Sequence, residues 1–223
     1  MTMNPTKMMI EQFAHEARLR HTLRHSLGYG RRWPVVVLLA TLLLVAGCGQ
    51  DYTFNGTKYD PPVEAPPLVG TNWDGTPFDL SALRGKVALI FFGYTACPDI
   101  CPVTLAEMKQ VYNQLGDARE DVAVVFVTVD PERDSVERLA QYIPAFDPAF
   151  YGVYIPPEQQ ESVKKGYGVF AEKRDPGDSS SVDYLVDHSG WIYGVDTKGN
   201  LRTAYGHDTP AEEIVPDVEY LLR

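Results

Sequence analysis

Basic side chains are scarce in most of this chain. Of 223 residues, 20 are Lys or Arg and 30 are Asp or Glu. Six of the basic ones (Lys7, Arg18, Arg20, Arg24, Arg31, Arg32) fall within residues 1–47, against two acids, Glu11 and Glu16. The remaining 176 residues hold 14 basic and 28 acidic side chains, a net of -14. A domain that acidic, with no basic block, is poorly suited to a phosphate backbone, so nucleic acid is excluded as the leading partner. Cysteine is scarce too. Three residues, Cys48, Cys97 and Cys101, are too few for a disulfide-built scaffold. Repeats and low-complexity segments are absent. With 44% apolar residues a core is attainable, and the length sets a prior of one to two domains.

A long apolar run is also missing. Val35 to Cys48 (VVVLLATLLLVAGC) carries no charge and follows Arg31-Arg32-Trp33-Pro34. A membrane-spanning helix needs roughly 20 apolar residues. A positive segment, a short apolar stretch and small residues form instead the layout of a secretory signal. Leu44-Val45-Ala46-Gly47-Cys48 resembles the bacterial lipobox, in which the cysteine becomes the lipidated first residue of the mature protein. Residues 1–47 are therefore expected to be a signal peptide removed before Cys48. An uncleaved anchor helix is the alternative. Both readings place the domain at the extracytoplasmic face of a bacterial membrane.

Asp51 to Pro67 contains Pro61-Pro62 and Pro66-Pro67 with little periodicity, so residues 48–67 read as a tether and 68–223 as one domain. Asp74-Gly75 is a turn signal, with Thr76–Leu80 in a short N-terminal hairpin. Val87–Gly93 (VALIFFG) and Val122–Val129 are continuous apolar runs suited to strands buried on both faces. Thr104–Leu115 has apolar residues at helical spacing, and Ser135–Ile143 reads as a helix capped by Ser135. Phe150–Tyr154 reads as a strand and Pro157–Tyr167 as a helix starting on proline. Glu172–Ser181 is polar, with Pro176-Gly177, and is expected to be a mobile loop. Tyr184–Asp187, Trp191–Asp196 and Leu201–Tyr205 are strand-like, the last two joined by the turn Lys198-Gly199-Asn200. Thr209-Pro210-Ala211-Glu212 combines a capping box with a first-turn proline ahead of a final helix to Leu222. The order implies an α/β sandwich around a mixed central sheet flanked by helices.

The chemistry concentrates in Gly93-Tyr-Thr-Ala-Cys97-Pro-Asp-Ile-Cys101-Pro102, directly after the first buried strand. Pro98 and Pro102 predict an irregular turn from Cys97, with regular helix beginning near Pro102. Both thiols then converge at the positive end of a helix, where thiolates are favoured. Such a pair can attack disulfides or bind a soft cation. A structural disulfide is the plain alternative, but so small a loop constrains the unfolded chain only modestly. Outside the signal region the histidines are His188 and His207. A lone histidine at a strand end, as His188 is, is more often solvated or packed than ligating. His207, next to a helix cap, reads as an exposed loop residue.

The stretch YTACPDICP, with VDPERDSVERL (Val129–Leu139) and YLVDHSG (Tyr184–Gly190), resembles the Sco/SenC family. The match runs in order from Thr57 to the C-terminus and includes the Lys58-Tyr-Asp-Pro-Pro lead-in. The resemblance implies a thioredoxin-like fold and a membrane-tethered protein serving assembly of the dinuclear copper centre in cytochrome c oxidase subunit II. It places the family's copper ligands on Cys97, Cys101 and His188, with Cu(I) or Cu(II) as the metal. It also implies that Cys97 and Cys101 can form a redox-active disulfide. Two soft thiolates and an imidazole suit copper, whereas a closed zinc site needs a fourth ligand, and none stands at motif spacing. Asp187 could orient the imidazole, although strand alternation sends neighbouring side chains to opposite faces. Asp99 inside the cysteine loop and Asp130 at the end of the second strand are further supporting candidates. Ser135-Val136 departs from the Thr-Pro frequent in the family and touches no candidate ligand. Glu172–Ser181 is long enough to be a flap carrying His188 toward or away from the sulfurs.

Three functions follow. One is a copper metallochaperone passing metal to oxidase subunit II or a related acceptor, supplied by a copper donor. The second is a thiol–disulfide oxidoreductase that keeps the acceptor's cysteines reduced, itself served by a thiol reductant. The third, a peroxidase, is weak. Tyr94-Thr95-Ala96-Cys97 lacks the proline that precedes a Thr-x-x-Cys pocket, and no arginine lies nearby in sequence.

Overall fold

In the computed structural model the described residues are 52–175, 177 and 183–223. The segment expected to be a signal peptide, the lipobox-like stretch and Cys48 lie outside them, as do Pro176 and residues 178–181 of the polar loop and Val182. Among the described residues no helix is long and apolar enough to cross a membrane.

Two strands built only from apolar and small residues form the centre: β4 (Val87–Gly93) and β5 (Val122–Thr128), every residue of both buried. They pair in parallel from Val87↔Val122 to Gly93↔Thr128. The crossover between them is α1 (Ile100–Gln114), whose buried Cys101, Thr104, Leu105, Met108 and Val111 recur at helical spacing. With β1 (Thr57–Glu64), β2 (Val69–Asn72), β3 (Pro77–Asp79), β6 (Tyr151–Tyr154), β9 (Ile192–Val195) and β10 (Asn200–Tyr205), they make one mixed sheet of order β1-β10-β9-β4-β5-β6-β2-β3. Helices α2 (Val136–Tyr142), α3 (Pro157–Tyr167) and α4 (Ala211–Leu221) flank it, α4 packing on α1 and α2 on β6. A separate antiparallel hairpin joins β7 (Ala171–Arg174) to β8 (Leu185–His188). The β2–β3 hairpin is the expected N-terminal extension, its turn closed by Asp74 Oδ1, which accepts from the Thr76 amide. The fold is thioredoxin-like, as expected.

Four expectations are corrected. The tether is shorter than residues 48–67, because Thr57–Glu64 is an edge strand antiparallel to β10. Its register breaks between Lys58 and Val63, around Pro61-Pro62, and an edge strand tolerates proline at such an irregularity. The compact unit accordingly begins at Thr53 rather than Leu68. Glu172–Arg174, expected in a loop, pairs with β8 instead, through Glu172↔Asp187 and Arg174↔Leu185. The Thr209 capping box does not form. Pro210 is the cap residue of α4, and Glu107 of α1 accepts the Ala211 amide from outside the segment. Helix α1 begins at Ile100, two residues before Pro102, which fits because a proline in the first turn gives up no intrahelical bond.

Candidate metal centre

Gly93 ends β4 directly beneath the cysteine loop. A Cβ there would lie 2.8 Å from the Cys101 sulfur and 2.8 Å from the Phe126 ring, so the sulfur occupies space that only glycine leaves open. The chain then turns, the Cys97 amide donating to the Tyr94 carbonyl at 3.2 Å, and enters α1 with Asp99 as its cap residue. Cys101, second in the helix, is fully buried, while Cys97 is half-exposed, and both are free thiols.

His188 closes the site from the end of β8. Its Nε2 lies 3.3 Å from Cys101 Sγ, and the ligand atoms of Cys97, Cys101 and His188 all fall within 4.8 Å of one another. Its Nδ1 faces the Ser189 carbonyl at 3.2 Å. Nε2 is thus the ring nitrogen that faces the sulfurs, and Nδ1 faces the backbone. Edge-on contacts with Tyr94 (centroids 5.6 Å apart) and Phe91 (6.0 Å) hold the ring. A cavity of about 330 Å³, lined by Tyr94, Cys97, Pro98, Asp99, Leu185 and His188, opens the cluster to solvent.

The two thiols are electrically unequal. A hydrogen bond from the Cys101 thiol holds Cys97 down to about 3, helped by His188 and by the amides of Asp99 and Cys101. Burial pushes Cys101 up, and the neighbouring Cys97 charge raises it further. The environment therefore favours the thiolate at the half-buried Cys97 and the thiol at the buried Cys101.

The supporting carboxylates are distributed differently from expectation. Asp187 makes no hydrogen bond to the imidazole; its carboxylate pairs with Arg174 Nε at 2.9 Å, and both residues line the same cavity as His188. Asp99 makes no side-chain cap bond and contributes its backbone amide to Cys97. Asp130 touches none of the three clustered residues. Its carboxylate accepts from Arg133 Nε (2.5 Å) and from the Tyr184 hydroxyl (2.7 Å). His207 is half-buried, not exposed, and its ring lies so close to Gly190 that a Cβ there would approach Nδ1 to 3.0 Å.

Sequence reasoning missed Asp134. This fully buried carboxylate accepts from the Thr95 amide (2.9 Å) and from the hydroxyls of Thr95 and Thr128. It thereby holds the start of the cysteine loop, and burial raises its pKa. Its one sequence signal was position, an acid just beyond the end of a buried parallel strand.

Two unequal thiols and an imidazole converging at the end of the central parallel strands of a thioredoxin-like sheet form an arrangement chemically suited to thiol exchange or to a soft metal. The chain belongs to the SCO1/SenC family, whose pattern it matches over residues 59–223. A SCO2-like protein from Rickettsia felis is 34% identical over 142 residues, covering 64% of this chain and 69% of that one. The structure of Bradyrhizobium japonicum ScoI with copper bound superposes with a TM-score of 0.64 at 33% identity, covering 71% of this chain and 99% of that chain. BsSco, described with a disulfide switch and as a member of the Sco family of cytochrome c oxidase assembly proteins, superposes with a TM-score of 0.57 at 25% identity, covering 76% and 97%.

Proposed function

We propose that this protein is a copper metallochaperone that binds its cargo through Cys97, Cys101 and His188 and delivers it to subunit II of cytochrome c oxidase or a related acceptor. The observation that carries this reading is the convergence of two sulfurs and one imidazole nitrogen within 4.8 Å. Two thiolates and one imidazole form a soft, three-coordinate donor set that suits Cu(I), and among the described residues no fourth ligand of the kind a closed zinc site requires joins the cluster. Binding displaces the Cys101 proton, so metal uptake releases protons as pH permits. The open cavity leaves Cys97 and His188 reachable by an incoming acceptor thiol, which suits transfer by ligand exchange. The bound copper of the ScoI relative supports the metal assignment. Lipidation at Cys48 at the extracytoplasmic membrane face completes the reading.

The deciding experiment is anaerobic titration of the reduced soluble domain with Cu(I), read by X-ray absorption. One copper with two sulfurs and one nitrogen is expected, and no uptake would overturn the assignment.

The inequality of the thiols favours a second reading, a thiol–disulfide oxidoreductase acting on the acceptor's cysteines. The Cys97 thiolate attacks an acceptor disulfide, forming a mixed disulfide and releasing one acceptor thiolate. Cys101 then loses its proton and attacks Cys97 sulfur, releasing the second thiolate. The acceptor gains two electrons, and Cys97–Cys101 becomes the disulfide. Reduction of a model disulfide without copper uptake would favour this reading.

A further inference from the structure

The turn Asp130–Asp134, between β5 and α2, touches both halves of the site. On one side Asp134 holds Thr95 and with it the cysteine loop. On the other, Arg133 holds the segment leading into β8. Its Nη1 donates to the Tyr184 carbonyl at 2.7 Å, and its guanidinium carbon lies 3.6 Å from the centre of the Tyr184 ring. Its Nε donates to Asp130, which also accepts the Tyr184 hydroxyl. Lys173 of β7 also stands over the Tyr184 ring, 4.5 Å from its centre, and bridges to Glu132. Four residues beyond Tyr184 comes His188. The hairpin that carries it is only two strands wide and belongs to no larger sheet. Two-stranded hairpins are marginal by themselves, so external anchors decide where this one sits.

We infer that Arg133 is a positioning residue for the site: it fastens the β7–β8 hairpin to the turn after β5 and so sets the reach of His188 to the two sulfurs. The guanidinium suits this role because its planar fork serves the Asp130 carboxylate and the Tyr184 carbonyl together while stacking on the Tyr184 ring. A lysine could satisfy only part of that set. Tyr94 extends the clamp to the ligand itself. Its ring lies 5.5 Å from Arg133 and edge-on to His188, and its hydroxyl accepts the Val186 amide at 3.3 Å. The cysteine loop and the histidine hairpin are thus referenced to one five-residue turn. That common reference fixes the distance between sulfur and nitrogen across otherwise independent segments.

The copper arm of the test rests on the metallochaperone reading, whereas the exchange arm needs no metal. In the full-length reduced, metal-free protein, Arg133→Ala should speed amide exchange at Val186–His188 by about tenfold or more, the scale of losing charge-assisted hydrogen bonds, and leave β4 and β5 unchanged. Tyr184→Phe should act in the same direction, less strongly, and serves if Arg133→Ala does not fold. Arg133→Lys should recover part of the protection. In competition with a chromophoric Cu(I) chelator, Arg133→Ala should weaken affinity about tenfold or more, yet have no effect in a His188→Ala background. Unchanged exchange at the hairpin, exchange that rises equally throughout the sheet, or an equal affinity loss in both backgrounds would each overturn the positioning role. Failure of the unaltered protein to take copper would instead overturn the metallochaperone reading, with the exchange result still deciding the role of Arg133.

Discussion

His188 Nε2 lies 3.3 Å from Cys101 Sγ although 87 residues separate the two in sequence. The cysteine is buried in the first turn of a helix and the histidine ends a detached hairpin, so their contact joins a rigid element to an anchored one. If this contact is the metal site, removing the imidazole should separate metal binding from thiol chemistry. His188→Ala should weaken Cu(I) binding roughly a hundredfold or more, beyond what is typical for a residue that merely supports a ligand. Reduction of a model disulfide should change far less, because the Cys101 thiol is the main stabiliser of the Cys97 thiolate. Chelator competition and a dithiol exchange assay on the same preparation check both halves.

The unequal thiols predict a pH profile. Cys97, held down to about 3, should alkylate with iodoacetamide at a rate nearly constant between pH 5 and 8, with Cys101 protected. Cys101→Ala removes the largest cause of the lowering and should shift the Cys97 titration upward, as mass spectrometry of the labelled protein would report. The same depressed pKa links to stability. The folded reduced protein binds fewer protons at Cys97 than the unfolded chain between about 3 and the ordinary thiol value. This group's contribution is therefore full above the ordinary value, declines as pH falls through that window and is lost below about 3. A flat urea midpoint for the reduced protein, set against Cys97→Ser over the same range, would contradict it.

Gly93→Ala should damage the site from below. The added methyl would stand 2.8 Å from both the Cys101 sulfur and the Phe126 ring, and both are fully buried. Overpacking of this kind costs about 1–3 kcal/mol, and relief requires the sulfur to move. Lowered thermal stability together with weakened copper binding is expected. Lowered stability with unchanged affinity would show that the sulfur position tolerates the shift.

Asp217 tests the domain boundary. Its buried carboxylate accepts the Asn55 amide (2.9 Å), the Gly56 amide (3.3 Å) and the Tyr205 hydroxyl (3.0 Å), tying the lead-in of β1 to α4 and β10. Asp217→Ala should cost about 2–4 kcal/mol in urea unfolding, the scale of stranding buried partners, and should expose residues 53–64 to proteolysis. An unchanged cleavage pattern would mean that β1 holds by its ladder alone.

Much of the fold was legible because its signals are local. VALIFFG and VAVVFVTV read as strands buried on both faces, and both form, the second one residue shorter, with every strand residue buried. Ser135 was recognisable as a cap, and its Oγ accepts the Arg138 amide. Lys58-Tyr-Asp-Pro-Pro misled for the opposite reason. Its prolines look like a linker, and only pairing with β10, some 140 positions away in sequence, makes it a strand. Asp187 was a plausible neighbour of the site by sequence proximity, and Asp130 by its place at the end of a buried parallel strand. The fold paired one with Arg174 at the rim of the cavity and the other with Arg133 and Tyr184.

The sequence by itself determined the parts whose causes lie within one element: the apolar strands, the helix that follows the cysteine loop, and the spacing that brings two thiols together. Family likeness pointed to the histidine, since a single imidazole at a strand end has no local signature. Only the tertiary structure decided that His188 presents Nε2 to the sulfurs, that Asp134 is buried under the cysteine loop and that Arg133 anchors the hairpin. Those outcomes depend on which segments the sheet order and its loops bring side by side, and hydrophobic periodicity along the chain does not encode such long-range pairings.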